Sequence, residues 1–338
     1  MKRLPLILLS LLLLFPAGCH RIPMYEAGSG VYLKLNLKLD PDAEVSENIP
    51  LDNYPELRAK IEGKAPEMVR ACFYDAESHE LVAEDFLPPE GGFINIPTGV
   101  YDILVYSLGT EVTQVEGTGV RATGYAFTSN TGVRVKTRGT KADEEGDGED
   151  SGTVQPVIYE PDHLFVGRIP GAVVPVRPEG KEETLVLETA LERFVQTWSL
   201  EIRHIEGAER IAGAEVYLTG QAASRYLWDG RCSTHPAALS FPLVLDAGQE
   251  LLWTVFNTFG KFPDAQSDVV VDILLTTTGG ARVSFLYDAT DQVLNPDNTA
   301  RRIVIDEPLV VPTDDYQGGG FEPVVDDWDG EEIDVIIG

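Results

Sequence analysis

From Val31 the chain alternates strictly: Val31, Leu33, Leu35, Leu37 and Leu39 are apolar, and Tyr32, Lys34, Asn36 and Lys38 stand between them. A period of two sends neighbouring side chains to opposite faces, so this stretch reads as a strand with one buried face and must pair with others. Strand-like runs recur at residues 68–74, 93–97, 100–108, 112–136, 197–202, 214–219, 239–245, 251–259, 269–276, 281–287 and 301–305. Residues 41–66, with four prolines, read as a long loop in which 56–61 form a short helical turn. Turn signals every 8–12 residues between short strands point to an all-β sandwich architecture.

The runs form two sets. Residues 197–205 correspond to 31–39, 214–219 to 71–74, 239–245 to 93–97, and 251–259 to 100–108, a weak internal repeat that two copies of one sandwich explain. The expectation is two tandem sandwiches of about seven strands each, over residues 31–180 and 181–338. Residues 137–153 hold six acidic groups and no aromatic, a composition that cannot offset the entropy of ordering, and read as a disordered loop. Their spacing does not match a calcium loop.

The chain carries 26 Lys plus Arg against 55 Asp plus Glu, a formal charge of −29. Such a surface repels phosphate backbones, which argues against nucleic acid as a partner. The acidity is steepest near the end, where residues 314–334 hold nine carboxylates and no base before Ile333, Val335 and Ile337 alternate as a last strand.

The first twenty residues fix the address. Lys2 and Arg3 precede an apolar run from Leu4 to Phe15, followed by Pro16-Ala17-Gly18-Cys19. Twelve helical residues rise about 18 Å, short of the roughly 30 Å hydrocarbon core, so the run is a cleaved export signal over residues 1–18 and not a span. The Pro-Ala-Gly-Cys segment resembles the bacterial lipobox. That resemblance implies thioether lipidation and acylation of Cys19, with residues 19–30 as tether; two or more acyl chains suffice for stable membrane attachment. Localisation at the outer membrane follows, on its surface or periplasmic leaflet.

Convergent chemistry is absent from the pattern. The five histidines are scattered, Cys232-x-x-His235 lacks the further ligands that a zinc site needs, and no nucleophile elbow, Walker loop or H-E-x-x-H occurs. We expect no catalysis, no cofactor and no metal. Cys72 and Cys232 read as free thiols rather than a disulfide scaffold. Tyr226, Trp228 and Trp328 are candidates for stacking against a sugar, although a buried sandwich core is the commoner fate of such rings.

Residues 93–107, FINIPTGVYDILVYS, resemble the Pro-x-Gly-x-Tyr signature of transthyretin-like sandwiches. Thr98-Gly99 reads as a two-residue turn that makes 92–108 a hairpin, and the signature implies Gly99 at positive φ with Tyr101 over the turn. Thr197-Trp198-Ser199-Leu200, Tyr217-Leu218-Thr219-Gly220, Asn257-Thr258-Phe259-Gly260, Tyr287 to Val293 and the ending Val325-Asp326-Asp327-Trp328 are similar to an uncharacterised family of Bacteroidales lipoproteins. That family is similar in turn to the fimbrillin-associated anchor proteins of minor and major fimbriae. The resemblance implies a non-catalytic, lipid-anchored pair of transthyretin-like, Greek-key sandwiches acting in fimbrial anchoring or adhesion with a protein partner; the alternative is a surface glycan-binding lipoprotein. An open sheet edge is the natural joint for an incoming strand. The terminal strands supply the candidates: Val31, Leu33, Leu35, Leu37 and Leu39, and Ile333, Val335 and Ile337.

Overall fold

The computed structural model describes residues 30–41, 43–47, 49–136, 154–176, 184–246, 248–264 and 267–313. In chain order the strands are β1 (Gly30–Leu37), β2 (Val69–Asp75), β3 (Leu81–Leu87), β4 (Gly91–Asn95), β5 (Gly99–Ser107), β6 (Gln114–Glu116), β7 (Tyr125–Phe127), β8 (Asn130–Lys136), β9 (Val154–Ile158), β10 (Phe165–Val174) and β11 (Leu185–Arg193). They continue with β12 (Gln196–Ile202), β13 (Ile205–Glu206), β14 (Ile211–Ala222), β15 (Ser224–Tyr226), β16 (Pro236–Pro242), β17 (Val244–Asp246), β18 (Leu251–Thr258), β19 (Val270–Thr277), β20 (Arg282–Asp288), β21 (Arg302–Ile305) and β22 (Leu309–Val310). A helix at Pro55–Glu62 interrupts the β pattern early in the chain.

The first body is one sheet in the order β3-β2-β5-β10-β11-β1-β4. Its seam is thin, because β10 and β11 pair only at Phe165↔Arg193 and Val166↔Glu192. The sheet folds there, and β11-β1-β4 face β3-β2-β5-β10 across a core that includes Val31, Leu33, Val69, Phe73, Ile103, Val105 and Leu191. In the second body a four-stranded sheet, β17-β18-β12-β21, packs on a six-stranded one, β20-β19-β14-β16-β9-β8. Leu200, Ile202, Val216, Leu239, Phe256, Ile273 and Ile303 fill the space between.

The all-β, double-sandwich expectation holds, and strand pairing sharpens the repeat. In the first body β1 lies parallel to β11 and antiparallel to β4, while β2 lies between β3 and β5. In the second body β12 lies parallel to β21 and antiparallel to β18, while β14 lies between β16 and β19. The copies therefore match as β1 to β12, β2 to β14, β3 to β16, β4 to β18, β5 to β19, β10 to β20 and β11 to β21. The sequence correspondence slips by one strand after β2, since it matches 93–97 to the β16 region and 100–108 to β18. Short apolar runs of similar length fit either partner until their pairing is known.

The division of the chain falls after Arg193 and not at 180, because β11 completes the first sheet. Conversely β8 and β9, from the first half of the sequence, extend the second body beside β16. The run 92–108 is not a hairpin either: β4 pairs with β1, whereas β5 pairs with β2 and β10, so residues 96–98 arch from one layer to the other. Gly99 has no positive φ. Its lack of a side chain makes room for the Tyr101 ring, whose hydroxyl would lie 3.0 Å from a Cβ there and which donates to the Pro97 carbonyl at 3.0 Å.

Candidate functional site

The registers give the molecule two poles. At one end of the first body lie the starts of β1, β5 and β11 and the ends of β2, β4 and β10. All three passages to the second body, residues 38–68, 108–164 and 194–195, leave from the opposite end. The chain then enters β12 directly, and the second body extends away. Beyond the outer ends of β12 and β21, Ile205 and Glu206 pair with Leu309 and Val310. The described residues therefore end, at Thr313, at the pole opposite to Gly30.

Crossing segments hold the two bodies together. Residues 43–62 form a strap on the outer face of β12 and β18, where Ile49, Leu57 and Ile61 pack on Leu251, Trp253 and Val255. Lys60 Nζ donates to Glu160 Oε2 at 2.8 Å and to the Val255 carbonyl at 3.2 Å, and the Asn257 amide donates to Glu160 Oε1 at 2.7 Å. Burial pushes the Glu160 carboxyl above its ordinary range despite the Lys60 charge. On the other side, the connection from β14 to β16 reaches back over the first body. There Leu227 is fully buried with Cys72, Tyr74, Leu104, Tyr106 and Phe194. Arg168 Nε donates to the Leu227 carbonyl at 2.8 Å, and the Leu227 amide donates to the Gly124 carbonyl at 2.8 Å.

The predicted edge strand at 31–39 is not an edge. Between β4 and β11, both sides of β1 are paired: Gly30 to Lys34 match β4, and Val31 to Leu37 match β11. Val31, Leu33 and Leu35 point into the core, Leu37 is half-buried and Leu39 is exposed. Alternation reports which face is buried; it carries nothing about whether the backbone of a strand is already paired. Among the described strands of the second body, β20 and β21 are the edges that end the six-stranded and four-stranded sheets beside the matched core. Sequence reading missed them, although Arg282 and Asp288 at the ends of β20 are the charged residues that guard many edges. Ile333, Val335, Ile337, Trp328 and Cys19 lie outside the described residues.

Of the sugar-stacking candidates, Trp228 and Tyr226 lie among the described residues and both contact arginines. Trp228 is half-buried with the Arg121 guanidinium 4.7 Å from its ring centre, and Arg121 in turn pairs with the buried Asp102. Tyr226 lies 4.5 Å from Arg231 and is tilted by 60° against Tyr125. Through Arg121, Trp228 links the second body's β14–β16 connection to Asp102 of β5 in the first body. Cys72 and Cys232 are free thiols, and burial pushes Cys72 up to about 11, which leaves it unreactive at neutral pH. Among the described residues no three His, Cys, Asp or Glu side chains converge as a metal site.

The chain is similar to known proteins in sequence and in fold. Fim4B of Bacteroides ovatus, named as a candidate fimbrium anchoring subunit, is 23% identical over 280 residues, covering 80% of this chain and 76% of that one. The crystal structure of a candidate adhesin from Bacteroides ovatus overlays with a TM-score of 0.52 at 21% identity, covering 84% of this chain and 94% of its own. The fimbrial anchor protein Mfa2 from Porphyromonas gingivalis gives a TM-score of 0.49 at 13% identity over 81% of this chain and 90% of its own. The profile of a family described as a domain of unknown function, DUF5119, matches residues 59–242, just over half the chain and strands of both bodies, and the chain therefore belongs to the DUF5119 family.

Proposed function

We propose that this chain is a non-catalytic anchoring or adhesion subunit of a fimbrium-like fibre, held to the outer membrane through an acylated Cys19. The observation that carries the reading is the polarity of the fold. The duplicated sandwiches run head to tail, so the described chain begins with Gly30 at one pole and ends with Thr313 at the other. A membrane attachment and a protein partner then occupy opposite ends without competing. The name of the relative Fim4B supports the same role. The partner's strand would add to the second body, at an edge such as β20 or through residues 314–338, because β1 has no open side.

Two variants test this on cells that make the fibre. Cys19→Ser is expected to move both the protein and the fibres from the cell envelope into the medium. Deletion of residues 314–338 is expected to leave the protein in the envelope while fibres are shed. Fibres that stay on cells lacking this chain altogether would overturn the anchoring role.

A further inference from the structure

Exposed apolar side chains of the first body gather mainly at one pole, with Leu39, Met68 and Phe86 exposed toward the other. Tyr32, Phe93 and Val186 lie side by side across β4-β1-β11, paired in register as Tyr32↔Phe93 and Tyr32↔Val186. On the outer face of the other layer Val100 pairs with Val173, and Val176 follows just beyond β10. These six are 38–77% exposed, and all stand at the Gly30 pole. Away from that pole the same outer face of β1 and β11 turns polar: Lys34 and Asn36 bond Glu188, and Lys38 bonds Glu192.

The second body supplies an internal control. On β12, the copy of β1, the outward positions are Thr197, Ser199 and Glu201, covered by the strap. Among the described residues of 196–313 only Leu294 and Val310 are large, apolar and exposed, while the added strands β8 and β9 expose Val133 and Val154. The collar is thus a property of one pole and not of the repeated fold. Exposed apolar groups concentrated at one place mark a contact surface. A flat patch suits a protein face, whereas these groups ring an end, on both outer faces of the sandwich, which suits a surface entered end-on. The tether points to the occupant: eleven residues separate Cys19 from Val31 and span at most about 40 Å.

We infer that the Gly30 pole seats on a phospholipid leaflet, with Tyr32, Phe93, Val186, Val100 and Val173 entering the headgroup region and the charged ladder of β1 and β11 remaining in water. Tyrosine suits this depth because its ring is apolar and its hydroxyl polar. The chain's formal charge of −29, with Asp75, Glu77 and Glu80 on the β2–β3 turn at this pole, specifies a zwitterionic rather than an anionic leaflet. The inference rests on the acylated-anchor reading and adds an orientation to it: the lipid holds the chain, and the collar stands the sandwiches upright.

The test uses the acylated full chain reconstituted into phosphatidylethanolamine–phosphatidylcholine vesicles. Environment-sensitive probes are attached through Val186→Cys, Val173→Cys or Leu294→Cys in a Cys72→Ala/Cys232→Ala background whose thermal midpoint has been checked. Seating predicts a blue shift and several-fold stronger quenching by spin-labelled lipid at 186 and 173 than at 294. It also predicts partial reversal by Tyr32→Ser/Phe93→Ser and by added phosphatidylglycerol. Equal, weak quenching at all three positions would overturn the inference and leave the anchor standing. A blue shift at 186 without vesicles would overturn it in favour of a second copy of the chain on the collar. A mature chain whose mass shows no acyl groups would instead refute the anchor, and the collar would then be judged on binding of the unacylated chain to the same vesicles.

Discussion

The Ser46 hydroxyl donates a 2.6 Å hydrogen bond to Glu201 Oε2, joining residues 155 positions apart. The Ser46 amide reaches Oε1 at 3.0 Å, Arg203 donates to Oε2 at 2.8 Å, and Arg302 donates to Oε1 at 3.0 Å. Glu201 projects from the outer face of β12 with only 1% of its side chain exposed. A carboxylate is tolerated at such depth only if donors fill its lone pairs. Part of that set comes from the strap and part from the second body, so Glu201 fastens the first half of the chain to the last.

Removing that charge should loosen the strap. Burial alone would raise the Glu201 carboxyl, but hydrogen bonds from Ser46 and Arg203 and the Arg302 charge outweigh it and hold it below its ordinary value of 4.5. A depressed carboxylate contributes stability that is present above its unfolded pKa and is lost as pH falls through the folded value. Glu201→Gln is expected to cost about 3 kcal/mol at pH 7, the usual scale for breaking one side of a buried pair. The loss should shrink in acid, as the pH falls from 4.5 through the lowered native value and the native carboxylate is itself protonated. Urea unfolding at the two pH values measures both, and an equal loss at each would refute the linkage.

Leu227 is the corresponding fastener on the opposite side of the junction. Its side chain belongs to the second body's β14–β16 connection, yet it is buried against the first body's β2, β5 and β10. Leu227→Ala leaves a cavity there and is expected to cost about 2–4 kcal/mol. Because the lost contacts are between bodies, calorimetry should show one unfolding transition splitting into two. A uniform downward shift of a single peak would place Leu227 within one cooperative unit instead.

A third substitution probes the pairing of β1. Gly91 sits at φ +102, and a Cβ there would fall on the Leu33 carbonyl oxygen across the β4–β1 pair. Gly91→Ala combines left-handed strain with a backbone clash and is expected to cost about 3 kcal/mol. Gly99→Ala, which meets only the movable Tyr101 ring, should cost less, and thermal melts of the two side by side check the order.

Those two glycines show what could be read from the residues alone. Pro97-Thr98-Gly99 announces a change of direction, and its position after an apolar run gives the strands on either side. Whether the chain returns along its neighbour or crosses to the facing layer depends on partners such as β1 and β10, which no local pattern names. The same limit explains β1, whose buried face was legible from alternation while its two paired sides were not. The polar anchors Glu160 and Glu201 were lost among 55 acids, because burial and not spacing sets them apart. Trp228 was found for its aromatic ring and turned out to serve the junction through Arg121.

The arrangement of β1 and β11 makes a mechanical prediction. They are parallel and in register from Val31↔Leu185 to Leu37↔Leu191. Under the proposed anchoring a pull from Cys19 would enter β1 at Gly30, whereas load from the second body would enter β11 at Arg193, the opposite end of the same pair. Both strands are therefore drawn along their length in opposite directions, and the evenly spaced bonds of a parallel ladder share the load until they fail together. Tension between Gly30 and Leu185 would instead open the ladder one bond at a time. Optical-trap measurements with handles at 30 and 195 are expected to give an unfolding force several-fold higher than with handles at 30 and 185, at the same loading rate. Forced unfolding reports the unfolding barrier and not the equilibrium stability, so the two geometries should differ even though the protein is the same. Equal forces would mean that some other element yields first and that the β1–β11 pair does not bear the load.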